Sequence, residues 1–106
     1  MAKFVLLYSG GGMAPTKAEQ EMLLQAWGAW FAQLGPNLVD GGSPFTGQAK
    51  SVSSGGSVSD GPVGMMATGY SIINADSLEA AVEEAKNCPV LQGDNARVTV
   101  YEAAMM

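Results

Sequence analysis

An α+β fold built from two strand–helix halves is expected for this chain of 106 residues, on three observations. Two strand-like apolar stretches, "KFVLLY" and "TGYSII", each precede a segment with helical periodicity. A glycine- and serine-rich stretch of hairpin character separates the halves. Helix stops, Gly35-Pro36 and Cys88-Pro89, close each helical segment.

The first strand, "AKFVLLYS", places Phe4, Leu6 and Tyr8 on one face and Val5 and Leu7 on the other, so both faces are apolar. The glycine run Gly10 to Gly12 ends it and reads as a flexible loop, with neither the lysine of a phosphate-binding loop nor the spacing of a dinucleotide fingerprint. Thr16 is suited to cap the first helix, with Glu19 placed for a capping box. From Lys17 to Leu34 the residues Leu23, Trp27, Trp30 and Leu34 recur at helical spacing, widened by Leu24 and Phe31. "NLVDGG" is a short strand, and "AKSVS" and "SVS" pair as a hairpin across Ser54-Gly55-Gly56. "TGYSIINA" follows as a strand, and Asp76 is expected to cap a second helix whose stripe is Leu78, Ala81, Val82 and Ala85. After a loop through Gln92-Gly93-Asp94-Asn95, "ARVTVYE" alternates as the last strand and "AAMM" reads as a frayed end or an arm. The order is βαββαβ with an extra hairpin, the ferredoxin-like sandwich, in one domain over residues 1–106 with an ordered core over about 3–102. In such a fold the helices cover one sheet face. Phe4, Leu6, Tyr8, Tyr70 and Ile72 are too apolar for solvent, so the other face is expected to meet a second copy.

Composition narrows the function. Hydrophobic residues are 47% and charged residues 14%, a globular composition with a small charged surface. Lys3, Lys17, Lys50, Lys86 and Arg97 are scattered among ten acidic residues, and a net charge of −5 disfavours nucleic acid and anionic membranes as partners. No histidine is present, so no histidine base exists, and Cys88 is the only cysteine, which rules out an internal disulfide and a structural zinc site. No metal and no cofactor is expected. The apolar run in "MAKFVLLYSGGG" is far too short for a membrane span or a signal sequence, and a cytoplasmic location is expected.

The motif "DGPV" at Asp60 to Val63, the hairpin before it and "TGYSIINADSLEAAVEEAKNCP" after it resemble the YCII-related proteins, in particular the branch marked by an Asp-Gly-Pro-Phe motif. The resemblance runs from "KFVLLY" to "VTVYE" and implies a dimeric α+β barrel, in which two open sheets face each other and a cleft lies between sheet, helix and loops. The His-Asp pair taken to suggest enzymatic activity in some members has no counterpart here: the position of the histidine falls near Trp27, and Val63 stands for the motif's Phe. Of the motif's functional residues, Asp60 remains.

The candidate catalytic residue is therefore Asp60, because a carboxylate desolvated beside Met65, Met66 and Tyr70 is suited to take up a proton near neutral pH. An Asp before Gly-Pro also serves a turn by accepting backbone N–H bonds. The candidate ligand-binding residues are Tyr8, Trp27, Trp30, Met65 and Tyr70. Trp27 and Trp30 project from one side of the first helix and either wall a pocket or fill the core, and the phenols of Tyr8 and Tyr70 either orient a ligand or bond within the protein. Cys88 sits at a helix C-terminus without a base, so a structural thiol is expected. The expected function is a homodimer that binds a small apolar or aromatic molecule in a cleft at the sheet face. The alternatives are a cofactor-free isomerase or monooxygenase using Asp60 or Asp40 as acid or base, and a structural or interaction module.

Overall fold

The computed structural model describes residues 1–11, 16–93 and 95–104. Its elements are β1 (Ala2–Ser9), α1 (Lys17–Leu34), β2 (Leu38–Asp40), β3 (Lys50–Val52), β4 (Val58–Asp60), β5 (Ala67–Ala75), α2 (Leu78–Ala85) and β6 (Arg97–Glu102). The Gly10–Gly12 loop, the loop through Asp94 and the C-terminal "AAMM" each lie partly outside the described residues.

The helix ends follow from local chemistry. Thr16 Oγ1 accepts from the backbone N–H of Glu19 at 3.1 Å, which satisfies one of the free donors of the first turn of α1. Gly35 ends α1 with φ +56, a left-handed conformation that favours glycine, and its N–H donates to the Phe31 carbonyl. The cap of α2 is Ser77 and not Asp76: Ser77 Oγ accepts from the Ala80 N–H at 3.1 Å. Both side chains can cap, but β5 runs to Ala75 and the extended conformation that a cap requires is reached at Ser77.

β2, β5, β1 and β6 form, in that order, a four-stranded sheet in which all neighbours are antiparallel, and β3 and β4 form a separate hairpin. The architecture is α+β and compatible with a ferredoxin-like fold. Among the described residues no helix is long and apolar enough to cross a membrane.

The core lies between the sheet and the two helices. Phe4, Leu6 and Tyr8 of β1 and Ile73 and Ala75 of β5 are buried with Trp30 and Leu34 of α1 and Ala81 and Ala85 of α2. Phe4, Leu6 and Tyr8 thus lie under the helices, not on the open face where they were expected. The cause is register. β1 meets β5 with Leu7 opposite Tyr70 and Val5 opposite Ile72, so Tyr70 and Ile72 share their face with Val5 and Leu7. β6 extends that face through Thr99, opposite Leu7, and Tyr101, opposite Val5. The helix-free side is built from Val5, Leu7, Tyr70, Ile72, Thr99 and Tyr101.

Candidate functional site

The sequence candidates fall in three places. Beneath α1, Tyr8 meets Trp27 edge to face at 5.5 Å between ring centroids, and Trp27 meets Trp30 at 5.7 Å and Phe31 at 5.6 Å. The Tyr8 hydroxyl donates to Ser71 Oγ at 2.7 Å, and Ser71 Oγ donates to the Gly41 carbonyl at 2.8 Å. The Trp30 indole N–H donates to the Glu84 carbonyl at 3.1 Å, which ties α1 to α2. Gly69 lies beside this cluster, and a Cβ there would stand only 3.0 Å from the Ser43 carbonyl oxygen, so the glycine admits the backbone of that neighbouring segment.

Burial pushes the Tyr8 hydroxyl well above its ordinary value, against a smaller opposing effect of the Ser71 hydrogen bond. Burial also pushes the Cys88 thiol up, and this residue is buried and free, in the structural role expected for it. Both groups are neutral at ordinary pH, and the Tyr8 proton is committed to Ser71. The cluster acts as a packed, fully bonded wall of the core.

On the helix-free side, the Tyr70 hydroxyl donates to Asp40 Oδ2 at 3.3 Å, while Asp40 Oδ1 accepts from the Gly42 N–H at 2.8 Å. Phe45 stacks on Tyr70 at 6.0 Å with an interplanar angle of 29°. The segment from Gly41 to Phe45 is laid along β5: the Tyr70 N–H donates to the Ser43 carbonyl at 3.4 Å and the Phe45 N–H to the Thr68 carbonyl at 2.8 Å. Gly42 permits that approach, with φ +76 and the Tyr70 carbonyl oxygen only 1.7 Å from where a Cβ would be. A carboxylate, a phenol and a flat aromatic wall are thereby brought together on an open surface.

Asp60 ends β4, pairs with Lys50 across the hairpin at 2.5 Å and leaves 90% of its side chain exposed. It borders an open depression of about 470 Å³ with Lys50, Gly61 and Met66. Met65 is exposed. The expected desolvation of Asp60 beside Met65, Met66 and Tyr70 is not found, because the hairpin carries the carboxylate outward to a lysine. Among the described residues no group of three or more His, Cys, Asp or Glu side chains is arranged to hold a metal ion.

Tyr8, Trp27 and Trp30 are therefore brought together, while Tyr70 lies on the opposite side of the sheet, and Asp60 and Met65 lie at the hairpin and its exit. Two residues of these networks escaped the sequence reading. Ser71 carried a usable signal, a polar side chain at a core position of an otherwise apolar strand. Phe45 carried none beyond being a lone aromatic in a turn-rich link. In comparisons with known proteins, no family model matches this chain and no curated protein matches it.

Proposed function

We propose that the chain works as a homodimer of the YCII-related, dimeric α+β-barrel kind, in which two helix-free sheet faces pair and a small apolar or aromatic molecule binds beside Tyr70. The observation that carries this reading is the helix-free face itself. Its centre is Val5, Leu7 and Ile72, side chains that water does not favour, and at its margin Tyr70, Phe45 and Asp40 offer an aromatic wall with one carboxylate. An aromatic ligand stacked there gains about 1 kcal/mol beyond the area it buries, and a donor group on it finds the Asp40 carboxylate. The element order and the "DGPV" motif support the same reading through the resemblance to the YCII-related proteins.

The test is native mass spectrometry of the purified protein at micromolar concentration. A mass near twice that of the chain with a reproducible small-molecule excess, lost in Tyr70→Ala, is expected. Monomers without excess mass would refute the proposal.

A second reading, a cofactor-free isomerase or monooxygenase, draws on the Tyr70–Asp40 contact of 3.3 Å. Asp40, not the solvent-exposed Asp60, then takes a proton from a carbon acid. The Tyr70 phenol gives up its bond to the now neutral carboxyl and donates to the oxyanion that forms, and in an isomerase the carboxyl returns the proton to a neighbouring carbon. Retention of bound ligand in Asp40→Asn with loss of turnover of that ligand distinguishes this reading from simple binding.

A further inference from the structure

We infer that the β3–β4 hairpin is a clasp that closes on a second copy of this chain, laying its Val52–Val58 face on the partner's helix-free sheet. The inference rests on the dimer proposed above. β3 and β4 pair Lys50 with Asp60, Ser51 with Ser59 and Val52 with Val58, so alternation gives the hairpin one serine face and one face bearing the two valines beyond the ion pair. On the serine face Ser51 is bonded within the chain, its Oγ donating to the Gly61 carbonyl at 2.7 Å, and both serines are polar and suited to water. The valine face is not suited to water: Val52 is 70% exposed and Val58 61%. A two-stranded hairpin of three-residue strands is at best marginal in water without something packed on it.

Size and position identify the occupant. The Cα radius of gyration is 15.0 Å, against roughly 13 Å for a compact chain of this length. The chain measures 43 × 39 × 19 Å, a flat body with extended reach. The hairpin's root lies beside the helix-free side, because Phe45, which stacks on Tyr70 of that face, lines one cleft with Ala49 and Pro62 at the base of the hairpin. Four strands about 4.8 Å apart and about six residues long offer a contact face on the order of 400 Å². Stable interfaces bury about 800 Å² per partner. A flat sheet face of this size is too small for a tight dimer by itself, and an apolar arm rooted beside that face adds contact area, twice over in a two-fold pair.

The experiment compares sedimentation equilibrium of the wild type with V52T/V58T, which keeps β-branched residues in the strands while removing apolar surface. A rise of at least about tenfold in the dimer dissociation constant is expected, with unchanged circular dichroism. A benzophenone amino acid at position 52 should in addition cross-link between chains to residues of β1, β5 or β6. If V52T/V58T dimerises as tightly as wild type, or the cross-links stay within one chain, the clasp is refuted and the sheet-face dimer stands. If the wild type is a monomer at tens of micromolar, the dimer is refuted and the clasp with it.

Discussion

The hydroxyl of Tyr8 sits 2.7 Å from Ser71 Oγ, across adjacent strands of the sheet and under the first helix. Ser71 passes the chain of donors on to the Gly41 carbonyl, so three buried or half-buried polar groups are satisfied by two hydrogen bonds. This relation satisfies the polar groups that register places on the core side of the sheet and anchors the segment that follows Asp40.

Removing the two hydroxyls should therefore have unequal effects. Tyr8→Phe leaves Ser71 able to donate to Gly41 and should cost about 1 kcal/mol. Ser71→Ala leaves both the phenol and the Gly41 carbonyl without this partner and should cost about 2–3 kcal/mol. Urea denaturation of both variants measures the difference; equal losses would show that Ser71 is not the hub.

A pH dependence follows from the same cluster. Tyr8 is raised from its ordinary value of 10.0 and Cys88 from 9.0, both chiefly by burial. Above those ordinary values the unfolded chain gives up protons that the folded chain keeps, so the unfolded state gains and stability falls. These two groups should contribute little to the slope below about pH 8, and each up to about 1.4 kcal/mol per pH unit well above its ordinary value, until the folded group itself ionises. Cys88→Ala should remove the part that begins near pH 9.0 and Tyr8→Phe the part that begins near pH 10.0. Denaturant midpoints across the alkaline range check this, and superimposable slopes in wild type and both variants would contradict it.

The elements were legible in the sequence because their ends are written in local chemistry. Thr16 and Gly35 bound α1, a continuous apolar run marks β1, and alternation marks β6. The orientation of β1 was not legible. Both of its faces are apolar, so alternation groups Phe4, Leu6 and Tyr8 together without saying whether they meet the helices, and the decision belongs to cross-strand register. Trp27 and Trp30 were legible as a pair because they share a helix face, whereas their meeting with Tyr8, expected on the other side of the sheet, was not. Lys50 and Asp60 meet through the hairpin register that the sequence already suggested, but the meeting of Tyr70 with Asp40 depends on where a chain of 30 residues' separation folds back. No local pattern encodes that.

The loop bearing Asp40 depends on one glycine. At Gly42 a Cβ would fall 1.7 Å from the Tyr70 carbonyl oxygen, a backbone atom that cannot yield, and φ is +76. Gly42→Ala should cost at least about 3 kcal/mol, or displace the loop and break the Tyr70–Asp40 contact. Gly28 is the contrast: it lies mid-helix in α1 with nothing within 4 Å of its would-be Cβ. Gly28→Ala should stabilise by about 0.5–1 kcal/mol through helix propensity. Thermal melts of the two variants should move in opposite directions, and a neutral Gly42→Ala would mean that the loop does not lie against β5.

The two faces of β1 can be told apart by one charge placed on each. Leu6 is fully buried beneath the helices, and a glutamate there has neither water nor a partner, so Leu6→Glu should cost several kcal/mol and prevent folding. Leu7 is the next residue, opposite Tyr70 and Thr99 on the helix-free side. In the separate chain a glutamate at that position reaches water, so Leu7→Glu should keep native circular dichroism and a cooperative melt. In the proposed dimer the same glutamate lies where two sheets meet and opposes its own copy across the two-fold axis, so self-association should weaken by at least about a hundredfold. Circular dichroism and sedimentation of the two variants decide the matter together. A Leu7→Glu variant that unfolds like Leu6→Glu would show that this face is closed within the single chain. One that folds and still dimerises would place the interface elsewhere.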